Sequence, residues 1–512
     1  MELIDFFDRG ASDHPERACF VFGEQSWSYA ETRHLTMRIA SAFRDHGIAP
    51  GAHVAVISSG DPLAFICVLG ALRAQMVWLP VIERETSEEI AQKLEFLDCE
   101  CLFYESAHAE TAALIHERLP GLKTLVCIDG GGQTAPTLDT WIAEAGDEFE
   151  IDPADPNDIA ILMSTSGTTG QSKGVPRSHL DIEIQVATAL SSVTLDEAPR
   201  YLITSSLTFT GWNTFRYFTH AGTCFVLQDP GPLEIARAVE EHRITDLALA
   251  VTRVYMMLAE PLVRECDFSS LQHFAYNTAP MSEAKLRDAI DVFGPIMMGG
   301  YGSTEILAHA VHLSAEDHFQ DGQLVSDDRL RSCGRATPFV KLAIMDEDGR
   351  VLGANQLGEL VVRGTSIMKG YYKNPSASAE ALRFGWLHTG DAAYRDEDGF
   401  FYVVDRLADL ITTRDARVAP SEIERVLWAH PSIRDCAVVG IPSSDGVDEI
   451  TAVVELRDGS EMDEPGLIEA CRERLGADKT PKAIYVWDEL PRSPRAKVLK
   501  RVIRTQLMST NT

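Results

Sequence analysis

The sequence predicts an α/β protein with a large N-terminal body of parallel-type sheets covered by helices, a β-barrel-like section at its end, and a small α+β C-terminal cap. Three observations predict this. Helical and strand-like periodicities alternate along most of the chain, which is the pattern of parallel sheets wrapped by helices. Between about Gly334 and Val404 the strands become short and turn-rich, the mark of a barrel or meander. A charged break, Asp405-Arg406-Leu407-Ala408-Asp409, then precedes a tail of about 100 residues, an ordinary domain size. At 512 residues the chain is too long for one core, and these signals divide it into a body at 1–405 and a small cap at 406–512.

Each element has its own signal. Arg33 to His46 has helical spacing, and His53-Val54-Ala55-Val56-Ile57 is a short strand closed by Ser-Ser-Gly. The most apolar stretch, Ala64 to Val81, is interrupted by Arg73 and Gln75. A membrane span needs about 20 nearly unbroken apolar residues, so this stretch reads as a buried helix and strand, with no membrane insertion. Asp158 to Met163 and Glu359 to Arg363 are strand-like, and Lys285 to Phe293 is helical. Asp346-Glu347-Asp348-Gly349 and Asp396-Glu397-Asp398-Gly399 are turns. Pro420 with Ser421-Glu422-Ile423-Glu424 opens a helix in the cap.

Composition excludes several classes. A formal charge of −31 repels phosphate backbones, so no nucleic-acid partner is expected, and an anionic ligand must meet local basic residues. The acidic start Met-Glu-Leu-Ile-Asp lacks the basic region and apolar core of a signal peptide. The ten cysteines are scattered, and Cys99-x-Cys101 fits no usual zinc spacing, so they read as reduced thiols in a cytoplasmic protein. The histidines, His179 included, show no metal spacing. A homo-oligomer is compatible with the sequence.

One segment carries chemistry on its face. Ser164-Thr165-Ser166-Gly167-Thr168-Thr169-Gly170-Gln171-Ser172-Lys173-Gly174 follows an apolar strand. Its glycines permit tight turning, its hydroxyls and N–H groups are donors for phosphate oxygens, and Lys173 adds a positive charge. It is not a Walker loop, because Gly-x-x-x-x-Gly-Lys-[Ser/Thr] cannot be threaded through it. Taken by composition alone, it also reads as an ordinary surface turn.

The whole string resembles the signature of the adenylate-forming superfamily, which contains acyl-CoA synthetases, peptide-synthetase adenylation domains and firefly luciferase. Three further elements of that family recur in order: Tyr301-Gly302-Ser303-Thr304-Glu305, Leu387-His388-Thr389-Gly390-Asp391, and Pro491-Arg492-Ser493-Pro494-Arg495-Ala496-Lys497. The likeness runs from Trp27-Ser28-Tyr29 to Arg504 and is strongest to acyl-CoA synthetases. It implies an ATP-dependent acid–thiol ligase that forms an acyl-AMP and passes the acyl group to coenzyme A. A small-molecule carboxylic acid is then the partner, with ATP, Mg²⁺ and coenzyme A as cofactors.

The resemblance also implies roles. Thr165, Ser166, Gly167, Thr168, Thr169, Gly170 and Lys173 would cradle the phosphates, and Glu305 would help to hold Mg²⁺, a hard ion suited to carboxylate and phosphate oxygens. Asn277-Thr278-Ala279-Pro280 and Gly299-Gly300-Tyr301 would wall the adenine, with Gly302 and Thr304 completing the second motif. Asp391 would accept hydrogen bonds from both ribose hydroxyls, with Arg406 beside it. Lys497 would bridge the substrate carboxylate and the α-phosphate as charge shifts between them.

The chain departs from the pattern in places. Ala408 stands where the family has Lys or Asp after the junction arginine. Arg414-Asp415 replaces a glycine pair on the coenzyme A side, where Arg414 would either crowd the thiol arm or bind an anionic acceptor. Arg495-Ala496 replaces the commoner Ser-Gly. A carrier protein, an amine or water therefore stays open as acceptor, and so does a nucleotide-binding protein without turnover.

For the acid, Thr210 occupies the place where amino-acid-activating relatives carry an aspartate, so an α-amino acid is disfavoured and an uncharged tail expected. Thr210, Trp212, Asn213 and Gly300 are the candidate acyl pocket. Trp212, Phe215, Tyr217 and Phe218 either line it or pack the core. Aryl, fatty and polycyclic acids are not ranked by these residues.

Overall fold

The computed structural model of the chain describes residues 1–131, 135–165, 173–307, 309–413, 417–443, 447–492 and 498–510. They form two compact units, one of residues 1–341 with 362–387, the other of 342–361 with 388–512.

Among the described residues the first unit contains a small hairpin of Phe319–Gln320 with Gln323–Leu324 and two large sheets. One runs, in spatial order, Thr124–Cys127, Cys101–Tyr104, His53–Ile57, Val77–Leu79, Ile159–Ser164 and Gly174–Ser178. All neighbours pair in parallel except the last two, which form an antiparallel hairpin. The other runs Arg335–Ala336, His309–Leu313, Met297–Gly302, His273–Asn277, Asp246–Ala250, Arg200–Ile203, Thr223–Val226, Ala18–Phe22 and Gln25–Ser28. Its interior is parallel and its outer pairs antiparallel. Parallel neighbours need crossovers, which the helices supply.

Between the sheets lies the helix Pro62–Arg73, capped by Asp61, whose side chain accepts the Leu63 N–H. Most of its residues are buried, as a helix apolar on all sides requires. One core cluster joins Phe65 and Leu69 of this helix to Val54 and Phe103 of the first sheet and Phe20 and Ile203 of the second. Arg73, which broke the apolar run in the sequence, lies in that core with an ion partner. Its guanidinium meets both oxygens of Asp8, at 2.6 and 2.7 Å, and donates to Thr36 at 3.0 Å. Among the described residues no helix is long and apolar enough to cross a membrane.

In the second unit, Val340–Met345, Gly358–Gly364, Leu387–Arg395 and Phe401–Arg406 lie side by side in chain order. This is the turn-rich section expected from the sequence. A three-stranded sheet of Ile433–Pro442, Asp448–Leu456 and Ala483–Val486 follows, packed by the helices Pro420–Trp428 and Glu464–Leu475. The ten cysteines are free thiols, most of them buried.

His179 begins the helix His179–Ser192, and its Nδ1 accepts the Leu3 N–H at 3.1 Å in a buried setting. Burial holds its pKa below the ordinary value of about 6.5, and protonation at Nδ1 would abolish the bond. The unfolded chain therefore binds the proton more readily, and stability is lost as pH falls below about 6.5. The denaturant midpoint is expected to drop between pH 7.5 and 5.5, and His179→Gln to flatten that slope; an equally steep slope in the variant would remove the assignment.

Candidate functional site

In the first unit the motif residues gather around the hairpin of Ile159–Ser164 and Gly174–Ser178. The Thr165 N–H donates to the Lys173 carbonyl at 2.9 Å, and the Lys173 N–H donates to Thr165 Oγ1 at 3.3 Å. These two bonds clasp the base of the glycine-rich loop. Ser166, Gly167, Thr168, Thr169 and Gly170 lie outside the described residues.

The clasp continues sideways. The Lys173 ammonium sits 4.6 Å from the centroid of the Tyr371 ring, a cation–π distance, and the Tyr371 hydroxyl donates to Glu305 Oε1 at 3.0 Å. A cation and a carboxylate thus flank one phenol. Glu305 is fixed through its backbone as well, since its carbonyl accepts the Met368 N–H at 2.8 Å.

Arg177, which the sequence reading passed over, supports this arrangement from below. It is fully buried, donates to the Ser366 carbonyl at 3.1 Å, and also donates to the Thr304 carbonyl next to Glu305. Burial pulls its guanidinium down to about 10, against the Asp181 and Glu305 carboxylates, so it stays charged at neutral pH. The only sequence signal was an arginine inside the otherwise uncharged strand Gly-Val-Pro-Arg-Ser.

The adenine-wall candidates share an edge. His273–Asn277 and Met297–Gly302 are parallel neighbours with Ala275 opposite Met298, so Thr278-Ala279 and Gly300-Tyr301 come to the carboxyl ends of adjacent strands. Ligands of open α/β sheets bind at such ends. Thr278 and Ala279 are exposed, and Thr278 has φ +75°, a costly conformation for a β-branched residue of the kind that gathers at functional sites. A side chain at position 299 would run into the Tyr276 ring, 2.7 Å from its hydroxyl, which accounts for Gly299.

The acyl candidates sit in short turns. Thr210 closes the helix Leu207–Thr210, its hydroxyl donates to the Ser206 carbonyl at 2.9 Å, and its own carbonyl accepts Asn213 Nδ2 at 3.2 Å. Any side chain at Gly211 would overlap the Phe65 ring, so this segment is seated on the core. Trp212 is half-buried against that core. Of the two readings left open for the aromatic run, core packing holds for three residues. Phe215, Tyr217 and Phe218 are fully buried, with Phe218 edge-on to Phe7 and Tyr217 stacked on Tyr201.

In the second unit the two predicted ribose-side residues meet. Asp391 and Arg406 stand opposite one another in the antiparallel pair of Leu387–Arg395 and Phe401–Arg406, with Arg406 Nε 2.9 Å from Asp391 Oδ1. Arg406 also donates to the Thr389 carbonyl at 3.2 Å. The Gly390 N–H donates to Glu359, whose other oxygen meets His388 at 2.7 Å, so a buried acid fixes the turn beneath Asp391.

Lys497 lies outside the described residues, as do Arg414 and Asp415, but the anchors on either side of the lysine loop are described. Arg492 and Val498 form a bridge, and the Leu499 N–H donates to the Pro491 carbonyl at 2.8 Å. Lys500, just past the loop, pairs with Glu424 at 2.9 Å and Asp405 at 3.6 Å. Burial works against its charge, yet the two carboxylates outweigh it and raise its pKa. Asp405 also accepts the Arg406 and Ser421 N–H groups, at 2.9 and 3.0 Å, so the junction and the loop share one carboxylate.

The profile of the AMP-binding enzyme family matches residues 7–372, and that of the AMP-binding enzyme C-terminal domain matches 422–497. The chain belongs to the AMP-binding enzyme family. It is an ATP-dependent ligase that activates acids as acyl adenylates. Among curated relatives, the medium/long-chain-fatty-acid–CoA ligase FadD8 of Mycobacterium tuberculosis is 34% identical over 69% of this chain, which spans 62% of that protein. A feruloyl-CoA synthase of an Amycolatopsis species is 30% identical over 97% of both chains. The solved amide bond synthetase McbA of Marinactinospora thermotolerans superposes with a TM-score of 0.88 at 26% identity, over 98% of this chain and 99% of that one.

Arg177→Leu would leave the Thr304 and Ser366 carbonyls unpaired, at about 1–3 kcal/mol each. A lower denaturant midpoint, together with weaker ATP binding by calorimetry, is the expected outcome. A variant as stable as the parent would show that the guanidinium does not hold the Glu305 turn.

Proposed function

We propose that the chain adenylates an aryl, fatty or polycyclic carboxylic acid and then transfers the acyl group to coenzyme A. In the first step an oxygen of the substrate carboxylate attacks the α-phosphorus of ATP and pyrophosphate leaves. In the second, the thiol sulfur attacks the acyl carbon and AMP leaves. The observation that carries this reading is the clasp from Thr165 and Lys173 through Tyr371 to Glu305.

Each group has work that its chemistry suits. Two anions must be brought together, so positive charge and donors are needed where they meet. Lys173 and the loop it closes would hold the phosphates, and Lys497 would span the carboxylate and the α-phosphate. Thr278, Ala279, Gly300, Tyr301 and Gly302 would flank the adenine, while Asp391 and Arg406 would take the ribose. Glu305, a carboxylate beside a phosphate loop, fits a hard divalent cation and would help hold Mg²⁺, which neutralises charge on the phosphates. Residues 406–512 would act as a cap that presents Lys497 for adenylation and withdraws it for thioester formation.

The likeness to feruloyl-CoA synthase and FadD8 supports coenzyme A as acceptor. The likeness to an amide bond synthetase favours a second reading, in which an amine takes the acyl group. Arg414-Asp415, in place of glycines on the thiol side, keeps that reading alive.

The deciding experiment incubates the protein with ATP, Mg²⁺ and a panel of acids, with coenzyme A, with amines, or with neither, and follows AMP and acyl products by mass spectrometry. Acyl-CoA is the expected product; acyl-AMP that persists with coenzyme A but is consumed by an amine would move the assignment to amide synthesis. Lys497→Ala is expected to abolish acid-dependent ATP–pyrophosphate exchange while ATP still binds. Tyr371→Phe should raise several-fold the Mg²⁺ needed for half-maximal exchange, and an unchanged requirement would detach Tyr371 and Glu305 from the metal.

A further inference from the structure

The acyl candidates come from two places, the turn Thr210–Asn213 and the strand position Gly300, and each adjoins a basic side chain that no motif predicts. Arg216 stands three residues past Asn213, in the short helix Phe215–Phe218. Its helix neighbours Phe215, Tyr217 and Phe218 are buried in the core, but its own partners are few. Arg216 Nη2 donates to the Tyr217 hydroxyl at 2.7 Å, and its guanidinium lies 4.7 Å from the centroid of that ring. Its Nε is sealed from solvent and has no hydrogen-bond partner among the described residues.

His312 is the second member. It stands directly opposite Gly300 in the antiparallel pair. Opposed residues project on the same face of a sheet, so the imidazole rises on the face that Gly300 leaves bare. His312 Nε2 is also sealed from solvent without a partner among the described residues. Burial holds the ring's pKa down, Asp317 and Glu316 oppose this, and the Arg216 charge adds to it.

A sealed guanidinium nitrogen and a sealed ring nitrogen, each without a partner among the described residues, leave hydrogen-bonding capacity unspent, and such capacity is costly until an acceptor meets it. The Asp246 charge favours the Arg216 guanidinium but makes no direct pair with it. Asp246 is engaged by Thr245 Oγ1 at 2.6 Å and His273 Nδ1 at 3.0 Å, and it reaches Arg216 only through the Tyr217 hydroxyl, 3.5 Å away. Among the described residues Arg216 has no ion-pair partner.

We propose that Arg216 and His312 bind an acceptor oxygen on the far end of the substrate, so the acid is one with a second oxygen function, a carboxylate above all, at the end remote from the reacting group. This rests on the reading of Thr210, Trp212, Asn213 and Gly300 as the acyl pocket. It differs from the uncharged tail expected from Thr210, a position that bears only on an ammonium group beside the reacting carboxyl. A guanidinium binds a carboxylate through paired, charge-assisted hydrogen bonds, and a neutral imidazole can donate a further one.

The test uses the full chain with ATP, Mg²⁺ and matched acids at pH 7.5, followed by ATP–pyrophosphate exchange. The pairs are cinnamic acid against its 4-hydroxy and 4-carboxy derivatives, and straight-chain monoacids against α,ω-diacids of equal length. The oxygen-bearing member of the best pair is expected to have the higher kcat/KM by about tenfold or more. In Arg216→Met that ratio should collapse towards one, mainly through KM, and Arg216→Lys should restore part of it. Thermal unfolding of both variants checks that they are folded. A parent enzyme that prefers the unsubstituted acids overturns the proposal, as does a ratio that survives Arg216→Met. Exchange with no acid of any kind would instead count against the adenylation reading itself, so the two failures are distinct.

Discussion

The nucleotide side of the first unit depends on one buried charge. Arg177 lies in the strand that leaves the glycine-rich loop, and its guanidinium can be buried only because the Thr304 and Ser366 carbonyls accept its protons. That requirement fixes the turn carrying Glu305 against the hairpin carrying Thr165 and Lys173. Tyr371 then needs only one hydroxyl and one ring face to join the cation to the carboxylate. A buried arginine with one partner removed would be a liability; with both it works as a rivet.

The same logic recurs in a chain whose net charge is −31. Such a protein attracts no anion at long range, so anion handling must come from individually placed cations. Their partners differ. Arg73 is neutralised by Asp8 inside the core, Arg406 by Asp391, and Lys500 by Glu424 and Asp405. Lys173 faces a phenol, and Arg216 faces another. Cations that meet aromatic rings rather than carboxylates remain available to an anionic ligand.

Much of this was legible beforehand and some was not. The glycine-rich segment and the motifs at 301–305 and 387–391 were readable because each is contiguous, and a local string carries its own chemistry. Arg177, Tyr371, Arg216 and His312 were invisible because their meaning lies in partners far along the chain: Arg177 with Thr304 and Ser366, Tyr371 with Glu305, and His312 with Gly300. The aromatic run at 212–218 was ambiguous for a related reason. Spacing alone does not say which side of a short helix faces the core, and packing put Phe215, Tyr217 and Phe218 inside while leaving Trp212 half-buried.

By itself the sequence determined the α/β class, the alternation of helices and strands, the turn-rich section near Gly334–Val404, and the family to which the motifs belong. These are properties of local pattern, and periodicity and contiguous motifs encode them directly. Only the tertiary structure decided which charges are paired, which aromatics are core, and which strand ends meet at the carboxyl edge. Those depend on register and crossover, which bring residues separated by dozens or hundreds of positions within hydrogen-bonding distance, and no one-dimensional signal reports that distance.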